Sequence, residues 1–133
     1  MKESIRALLD SIPEEKRQLK GREALAYLAT LMKRIQGEDY KHESFYTTAS
    51  GGQSRADFLG CGSAACAAGL GAVVFHGAPE PRDHFSISGS QANFYEITSP
   101  QSWSIFACEA YSGISPHPRT VEKRIRAVLK EYK

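Results

Sequence analysis

Small side chains fill almost every position from Cys61 to Gly71, in the run Cys-Gly-Ser-Ala-Ala-Cys-Ala-Ala-Gly-Leu-Gly. Cysteine, alanine and glycine are among the residue types most often found fully buried. A helix made of such residues also lets its neighbours approach the backbone closely, because no long side chain stands between them. The segment therefore predicts a central helix over Cys61–Leu70 in a tightly packed domain.

Apolar periodicity predicts two longer helices that flank this segment. Residues 22–36 and residues 118–132 both carry apolar side chains at helical spacing along one broad face. The predicted core positions are Leu25, Leu28, Ala29, Leu31, Met32 and Ile35 in the first helix, and Val121, Ile125, Val128, Leu129 and Tyr132 in the second. These patterns indicate a domain that is mainly α-helical.

Local start signals place further elements. Ser11 followed three residues later by Glu14 matches a capping box. Ser99 followed by Pro100 is typical of an N-cap and the first helical residue. The alternation in Phe85–Ser88 indicates a short strand.

The chain length suits one domain. With 133 residues, it falls in the usual range of a single folding unit. A chain of this length buries roughly two-thirds of the surface that its unfolded form exposes. We therefore expect residues 1–133 to form a single globular domain. Its predicted fold class is a mainly α, compact bundle of four or five helices around the small-residue central helix, with one short β-hairpin as an optional addition.

The number of cysteines and the lack of long apolar runs predict where in the cell the protein is found. The chain has three cysteines, at positions 61, 66 and 108, and this low, odd number gives no disulfide framework. Free thiols favour a reducing compartment. The start of the sequence has neither the apolar run nor the cleavage site of a signal peptide, and no stretch is long enough to cross a membrane. We expect a cytoplasmic protein with no membrane partner.

Charge is distributed unevenly along the chain. The net charge of +2 is weak for a general DNA-binding protein. The last sixteen residues, however, hold six Lys or Arg against two Asp or Glu. Five of these cations recur at helical spacing within an arc of about 80°, opposite the apolar face: Arg119, Lys123, Arg126, Lys130 and Lys133.

These five cations predict an exposed positive ridge without neighbours inside the domain. Like charges four residues apart destabilise a helix by roughly 0.2–0.5 kcal/mol per pair, so an uncompensated row favours an acidic partner. A merely solvated helix face is the alternative, and the two interpretations carry equal weight.

A catalytic cysteine is a second hypothesis. Cys61 at a helix N-terminus would have a lowered thiol pKa, with His76 or His84 as the base. The structural alternative, in which Cys61 caps the helix and Cys66 is a buried small residue, is favoured because free cysteines are usually buried. We therefore expect a non-enzymatic protein and keep a cysteine-dependent hydrolase as the alternative.

Metal and cofactor sites are not predicted. Three Cys and four His would be enough ligands, but Cys61 and Cys66 are five residues apart and no CxxC or HxxxH pair occurs. The glycine-rich stretch 50–55 lacks the lysine of a phosphate-binding loop. Binding of a nucleotide or nucleic acid, through this stretch or the basic helix, remains a third hypothesis.

The order of motifs resembles that of a known group. The residues that carry the resemblance are Phe45–Ala49, Cys61-Gly62-Ser63-x-x-Cys66-x-Ala68-Gly69 and Ser99-Pro100-x-x-Trp103-x-x-Phe106, between the two amphipathic helices. The chain is similar over residues 22–130 to small phage and prophage proteins with a Cys-Gly-Thr/Ser-x-x-Cys-x-Ala-Gly motif. Only the cysteine motif is specific, and Ser63 replaces the commoner threonine.

The resemblance implies a phage context and a shared fold, but no mechanism. Its motif core would be Cys61, Gly62, Ser63, Cys66 and Gly69. Together with the basic ridge, it leads us to expect a small viral protein in the host cytoplasm. Its expected role is to bind or inhibit a host or defence-system component that has an acidic surface.

Overall fold

The computed structural model describes residues 3–35, 47–48, 51–52, 67–79, 89–106 and 117–132. These residues are mainly helical, which confirms the predicted class. Within these described ranges, five helices have eight residues or more, and two are shorter. The helices are α1 (Glu3–Asp10), α2 (Glu14–Arg17), α3 (Gly21–Arg34), α4 (Ala67–Val74), α5 (Gln91–Tyr95), α6 (Ser99–Phe106) and α7 (Pro118–Lys130).

Two very short strands accompany the helices. β1 (Thr47–Thr48) pairs antiparallel with β2 (Gly51–Gly52), so that Thr47 lies opposite Gly52 and Thr48 opposite Gly51. The strand predicted at Phe85–Ser88 lies outside the described residues.

The principal contact of the fold is between α3 and α7. Arg22, in the first turn of α3, places its guanidinium 4.2 Å from the ring centre of Tyr132, just beyond the end of α7. The start of α3 therefore lies beside the end of α7, and the two helices run antiparallel. Their facing side chains are fully buried, and each large apolar one contributes about 1.5–3 kcal/mol relative to exposure.

The C-terminal part of the small-residue segment forms the start of α4. Its residues Ala67–Leu70 fall in the predicted helix Cys61–Leu70, whose first six residues lie outside the described part. The helix then continues through Val74, so the apolar end of the segment extends it. Leu70 and Val74 are fully buried, as expected for a helix that packs against α3.

Aromatic rings fill the space between α3, α4, α5 and α6. Phe75 lies 6.4 Å from Tyr27, 6.0 Å from Phe94 and 6.4 Å from Tyr95, measured between ring centres. Tyr95 also stacks on Phe106 at 5.5 Å. This cluster fixes α5, a helix of only five residues, against the core.

Both predicted N-caps, Ser11 and Ser99, are wrong, because a different residue caps each helix. Pro13, not Ser11, is the N-cap of α2, and the Ser11 hydroxyl instead donates to the carbonyl of Leu8 at 2.6 Å, at the end of α1. Thr98, not Ser99, caps α6. Its hydroxyl accepts the backbone N–H of Gln101 at 3.2 Å, while the Gln101 side chain accepts the N–H of Thr98 at 2.9 Å. This exchange is a capping box, displaced by one residue from the prediction.

Among the described helices, none combines the length and the apolar character that a membrane crossing requires.

Candidate functional site

The outer face of α7 is positively charged. Val121 and Ile125 are fully buried and Val128 is 6% exposed, which turns the opposite face of the helix to solvent. Four of the five predicted cations, Arg119, Lys123, Arg126 and Lys130, are exposed there. Lys133 lies outside the described residues.

Two details of this helix differ from the predictions. Arg126 forms an ion pair with Glu122, one turn earlier, at 2.8 Å, so the expectation that no cation has an internal neighbour is wrong for Arg126. Tyr132 was expected in the core but is 37% exposed. Its ring lies beneath Arg22, and its hydroxyl donates to Gln101 instead.

A groove of about 370 Å³ lies beside Arg126, between α7 and the α2–α3 region. Its floor includes the ring of Tyr27, with the ammonium group of Lys16 5.6 Å from the ring centre. The groove thus joins an apolar surface to the charged face of α7. Its lining residues are Lys16, Leu19, Glu23, Ala26, Tyr27, Thr30 and Arg126.

A larger cavity, of about 550 Å³, lies between the α2–α3 junction, the end of α4 and α5. This volume falls within the range of small-molecule binding sites. Both polar and apolar groups line it, and small-molecule sites use the first for orientation and the second for affinity. The lining residues are Gln18, Leu19, Lys20, Gly21, His76, Gly77, Asn93, Phe94 and Glu96.

Glu96 lines this cavity, and its backbone has a conformation that favours glycine. Its φ is 56°, in the left-handed region, which costs a side-chain-bearing residue roughly 1–2 kcal/mol. The conformation closes α5 with a Schellman motif, in which Ile97 N–H bonds to Ala92 C=O at 3.0 Å and Glu96 N–H to Asn93 C=O at 3.3 Å. The strain therefore has a structural use, but glycine would serve it better.

The carboxylate of Glu96 reaches the start of α3. It occupies the space that a β-carbon at Gly21 would need, and Gly21 itself has a φ of 65°. A negative charge at the N-terminus of a helix is favourable, because the backbone N–H groups there are positively polarised. Among the described residues, no side chain forms a capping hydrogen bond at the N-cap of α3, Lys20. Glu23, in the first turn, and the Glu96 carboxylate both place negative charge at this helix start.

His76 and Glu14 form an exposed pair at the edge of the same cavity. Nε2 of His76 lies 2.7 Å from a carboxylate oxygen of Glu14, and the two side chains are 57% and 64% exposed. The hydrogen bond with His76 lowers the pKa of the Glu14 carboxyl below its ordinary value of 4.5. The backbone N–H of His76 also donates to the carbonyl of Arg17 at 2.9 Å, which fixes the pair's position.

A carboxylate-bound imidazole suits a general base, because the pairing orients the ring. His76 is one of the two predicted bases. The predicted nucleophile Cys61 and the second base His84 lie outside the described residues. Of the predicted motif core, Gly69 is buried in α4, whereas Cys61, Gly62, Ser63 and Cys66 lie outside the described part.

In the part of the chain that the structure describes, no three His, Cys, Asp or Glu side chains come together as a metal site would need. Comparisons with models of protein families, with curated proteins and with solved structures found no match.

Of the residues that line the cavity, sequence reasoning selected only His76 as a candidate site residue. It did not select Phe94 or Glu96, nor Glu14, which pairs with His76 at the cavity edge. Glu14 and His76 are 62 positions apart, and no periodicity links them. Phe94 belongs to a five-residue helix, too short for a periodic pattern. Glu96 follows that helix where glycine or asparagine is usual, so the sequence carries no signal for the left-handed turn.

Proposed function

We propose that the chain is a non-enzymatic binding protein whose α7 outer face docks on an acidic surface of a partner protein. The observation that carries this proposal is the set of exposed cations Arg119, Lys123 and Lys130. None of the three side chains forms an ion pair among residues 3–35, 67–79, 89–106 and 117–132.

The charges on α7 work against the isolated helix. Arg119 lies in the first turn, which contains no acidic residue, and a cation there opposes the helix dipole. Arg119 and Lys123 are four residues apart, as are Arg126 and Lys130, so each pair repels. Glu122 offsets part of this through Arg126. An acidic partner would relieve the remaining repulsion, which supports binding over a merely solvated face.

The inner face of α7 supports the same proposal. Val121 and Ile125 have no exposed surface, and they hold the helix against α3. A rigid helix presents its side chains without a further cost of ordering the backbone, which favours association. Rim charges of this kind act chiefly on the association rate, so binding should weaken with salt.

The groove beside Arg126 adds a place for an apolar contact. Tyr27 and Leu19 are partly buried there, and Lys16 lies over the Tyr27 ring. Aromatic residues in such grooves are frequent centres of binding energy. We therefore place the partner's contact across α7 and this groove, with acidic side chains on α7 and an apolar side chain against Tyr27.

The biological setting follows from the motif at Cys61–Gly69 alone. Its resemblance to small phage and prophage proteins supports a host protein or a defence-system component as the partner, and inhibition as the outcome. The host cytoplasm is the corresponding location.

The test uses Lys123→Glu with Lys130→Glu, which spares the Arg126–Glu122 pair. The matched control is Lys33→Glu with Arg34→Glu, which makes the same change of net charge in the last turn of α3. Wild type and both variants are used to capture proteins from a bacterial lysate at low and high salt, and retained proteins are quantified by mass spectrometry. Captured candidates are then purified, and their association rates are measured.

We expect the α7 variant alone to lose one or more protein partners and to keep its stability within about 0.5 kcal/mol. Equal loss in both variants would mean that only net charge matters. Retention of nucleic acid in place of protein, with a steep dependence on salt, would favour the nucleic-acid hypothesis instead. Unfolding of the α7 variant would show that these cations stabilise the domain.

The His76–Glu14 pair supports a second candidate, a cysteine-dependent hydrolase with Cys61 as nucleophile. Alkylation of Cys61 by iodoacetamide, followed across pH, tests it. A hydrolase should react rapidly below the ordinary thiol pKa of about 8.5, and His76→Ala should slow the reaction. A rate that follows an unperturbed thiol, unchanged in His76→Ala, would reject this candidate.

A further inference from the structure

The 550 Å³ cavity is separate from the α7 face, and none of the residues that line it belongs to α7. It combines a flat apolar wall, two side-chain amides, a carboxylate and an ammonium group. Each of these groups restricts the chemistry of a ligand that would fill it.

Phe94 forms the flat wall. Its ring is half-buried and is held in place by Phe75, at 6.0 Å, and by Tyr95, at 4.8 Å and nearly perpendicular. Gly77 lies directly against it, since a β-carbon there would stand 3.5 Å from the Phe94 ring. A rigid ring of this kind offers a platform on which a planar ligand can stack.

Two amides stand at the edges of this wall. Gln18 and Asn93 are both exposed to the cavity and each offers one donor group and one acceptor group. Asn and Gln side chains pair with adenine through two hydrogen bonds, to its amino group and to a ring nitrogen. The amides and the ring together favour a planar, neutral base over an aliphatic or a purely anionic ligand.

The two charged side chains on the cavity, Glu96 and Lys20, suit the sugar and the phosphate of a nucleotide. Glu96 is acceptor-only when ionised, and carboxylates in nucleotide sites accept hydrogen bonds from ribose hydroxyls. Lys20 supplies an ammonium group on the same cavity, which suits a phosphate. We infer that this cavity binds an adenine nucleotide, with the base on Phe94, the ribose near Glu96 and the phosphate near Lys20.

Isothermal titration calorimetry on the full chain tests the inference, with AMP as the ligand. Adenosine, CMP and inorganic phosphate are separate arms. We expect saturable binding of one AMP per chain, weaker binding of adenosine and CMP, and no measurable binding of phosphate. Phe94→Leu should weaken AMP binding about tenfold or more, whereas Phe94→Tyr should retain it.

Two further variants locate the ligand. Asn93→Leu changes an exposed residue, so it tests the base edge even where Phe94→Leu fails to fold. Lys20→Met should reduce AMP affinity to that of adenosine and leave adenosine unaffected. Lys123→Glu with Lys130→Glu, on α7, is the control and should leave AMP binding unchanged at constant ionic strength.

The inference is overturned by any of three results. The first is the absence of any binding heat for AMP at about 1 mM, a concentration that would reveal even weak binding. The second is binding of inorganic phosphate as tight as that of AMP, which would indicate an anion site only. Loss of AMP binding in the α7 control, with Asn93→Leu unaffected, would place the nucleotide on the basic helix. The first two results leave the proposed docking of α7 on a protein untouched.

Discussion

The hydroxyl of Tyr95 occupies the space that a β-carbon at Gly71 would need. Helices α4 and α5 can approach each other at this point only because residue 71 has no side chain. The approach places the Tyr95 ring in the core, fully buried, against Phe75 and Phe106. One glycine in the small-residue segment therefore sets the position of α5, and with it the cavity wall formed by Phe94.

Gly71→Ala is expected to destabilise the protein by about 1–3 kcal/mol, the usual effect of overfilling a packed core. Urea unfolding, followed by circular dichroism, measures the change. Gly89→Ala is the matched control, because no atom lies within 4 Å of a β-carbon there. An equal loss in the two variants would point to glycine's backbone freedom, not to the Tyr95 contact.

Removing the Tyr95 hydroxyl should rescue Gly71→Ala. After that oxygen, the nearest atoms to the new β-carbon are Tyr95 Cζ at 3.5 Å and Phe75 Cδ2 at 3.9 Å, both ordinary contact distances. The double variant Gly71→Ala with Tyr95→Phe is thus expected to recover most of the lost stability. A double-mutant cycle measures the coupling, and additive effects would contradict the contact.

Tyr95→Phe alone is expected to be at least as stable as wild type at neutral pH. Among the residues that the structure describes, none hydrogen-bonds to the buried Tyr95 hydroxyl, and an unpaired buried hydroxyl costs about 1–3 kcal/mol. Burial also raises the pKa of the phenol, so above about pH 10 the unfolded state ionises first and wild type loses stability as pH rises. Urea midpoints from pH 8 to pH 11 should fall less steeply for Tyr95→Phe.

Thr98→Ala should cost about 1 kcal/mol, the usual contribution of an N-cap side chain. The Thr98 hydroxyl accepts the N–H of Gln101 at 3.2 Å, and its loss leaves that donor to solvent. Ser99→Ala, at the neighbouring position, is the control and should stay within about 0.5 kcal/mol. A larger loss of stability from Ser99→Ala than from Thr98→Ala would show that Ser99, as the sequence pattern predicted, is the N-cap of α6.

This cap shows what the sequence can and cannot specify. The sequence Thr98-Ser99-Pro100-Gln101 satisfies two start patterns one residue apart, and only the reciprocal hydrogen bonds decide between them. Periodicity predicted α3 and α7 well, because each has a continuous buried face. It failed at Tyr132, beyond the last turn of α7, where the ring leaves the core for Arg22.

The cavity was harder to predict, since it depends on contacts distant in sequence. His76 was selected as a candidate base from its chemistry, but its partner Glu14 lies in α2, 62 positions earlier in the chain. The exposed cations of α7 could be predicted from the helical period, whereas the pairing of Arg126 with Glu122 depends on rotamers. The periodicity of apolar residues along a helix specifies which of its faces is buried. It does not specify which polar side chains form hydrogen bonds or ion pairs with one another.

The Glu14–His76 pair should give a measurable pH dependence. Because the folded-state pKa of Glu14 is lowered, its stabilising contribution is present above the unfolded value, near 4.5, and is lost as the pH falls. His76→Ala should raise the pKa of the Glu14 carboxyl toward that value, as followed by carbon-detected NMR.

Glu96 allows the strain of a left-handed residue to be separated from the use of its carboxylate. Glu96→Ala keeps a β-carbon at a φ of 56° and removes only the charge beside α3, with an expected loss of about 0.3–1 kcal/mol. Glu96→Gly removes the charge and the strain together, so it should be more stable than Glu96→Ala by about 1 kcal/mol. Thermal and urea unfolding of the two variants measure this difference.

The comparison between glycine and alanine at position 96 also bears on the cavity. Both variants lack the carboxylate, so both should weaken AMP binding equally, although they differ in stability. Binding that instead follows stability would show that Glu96 only supports the fold of α5. Glu96 has a strained backbone at the cavity wall, where glycine would be more stable. Such strain is expected where the side chain itself has a function.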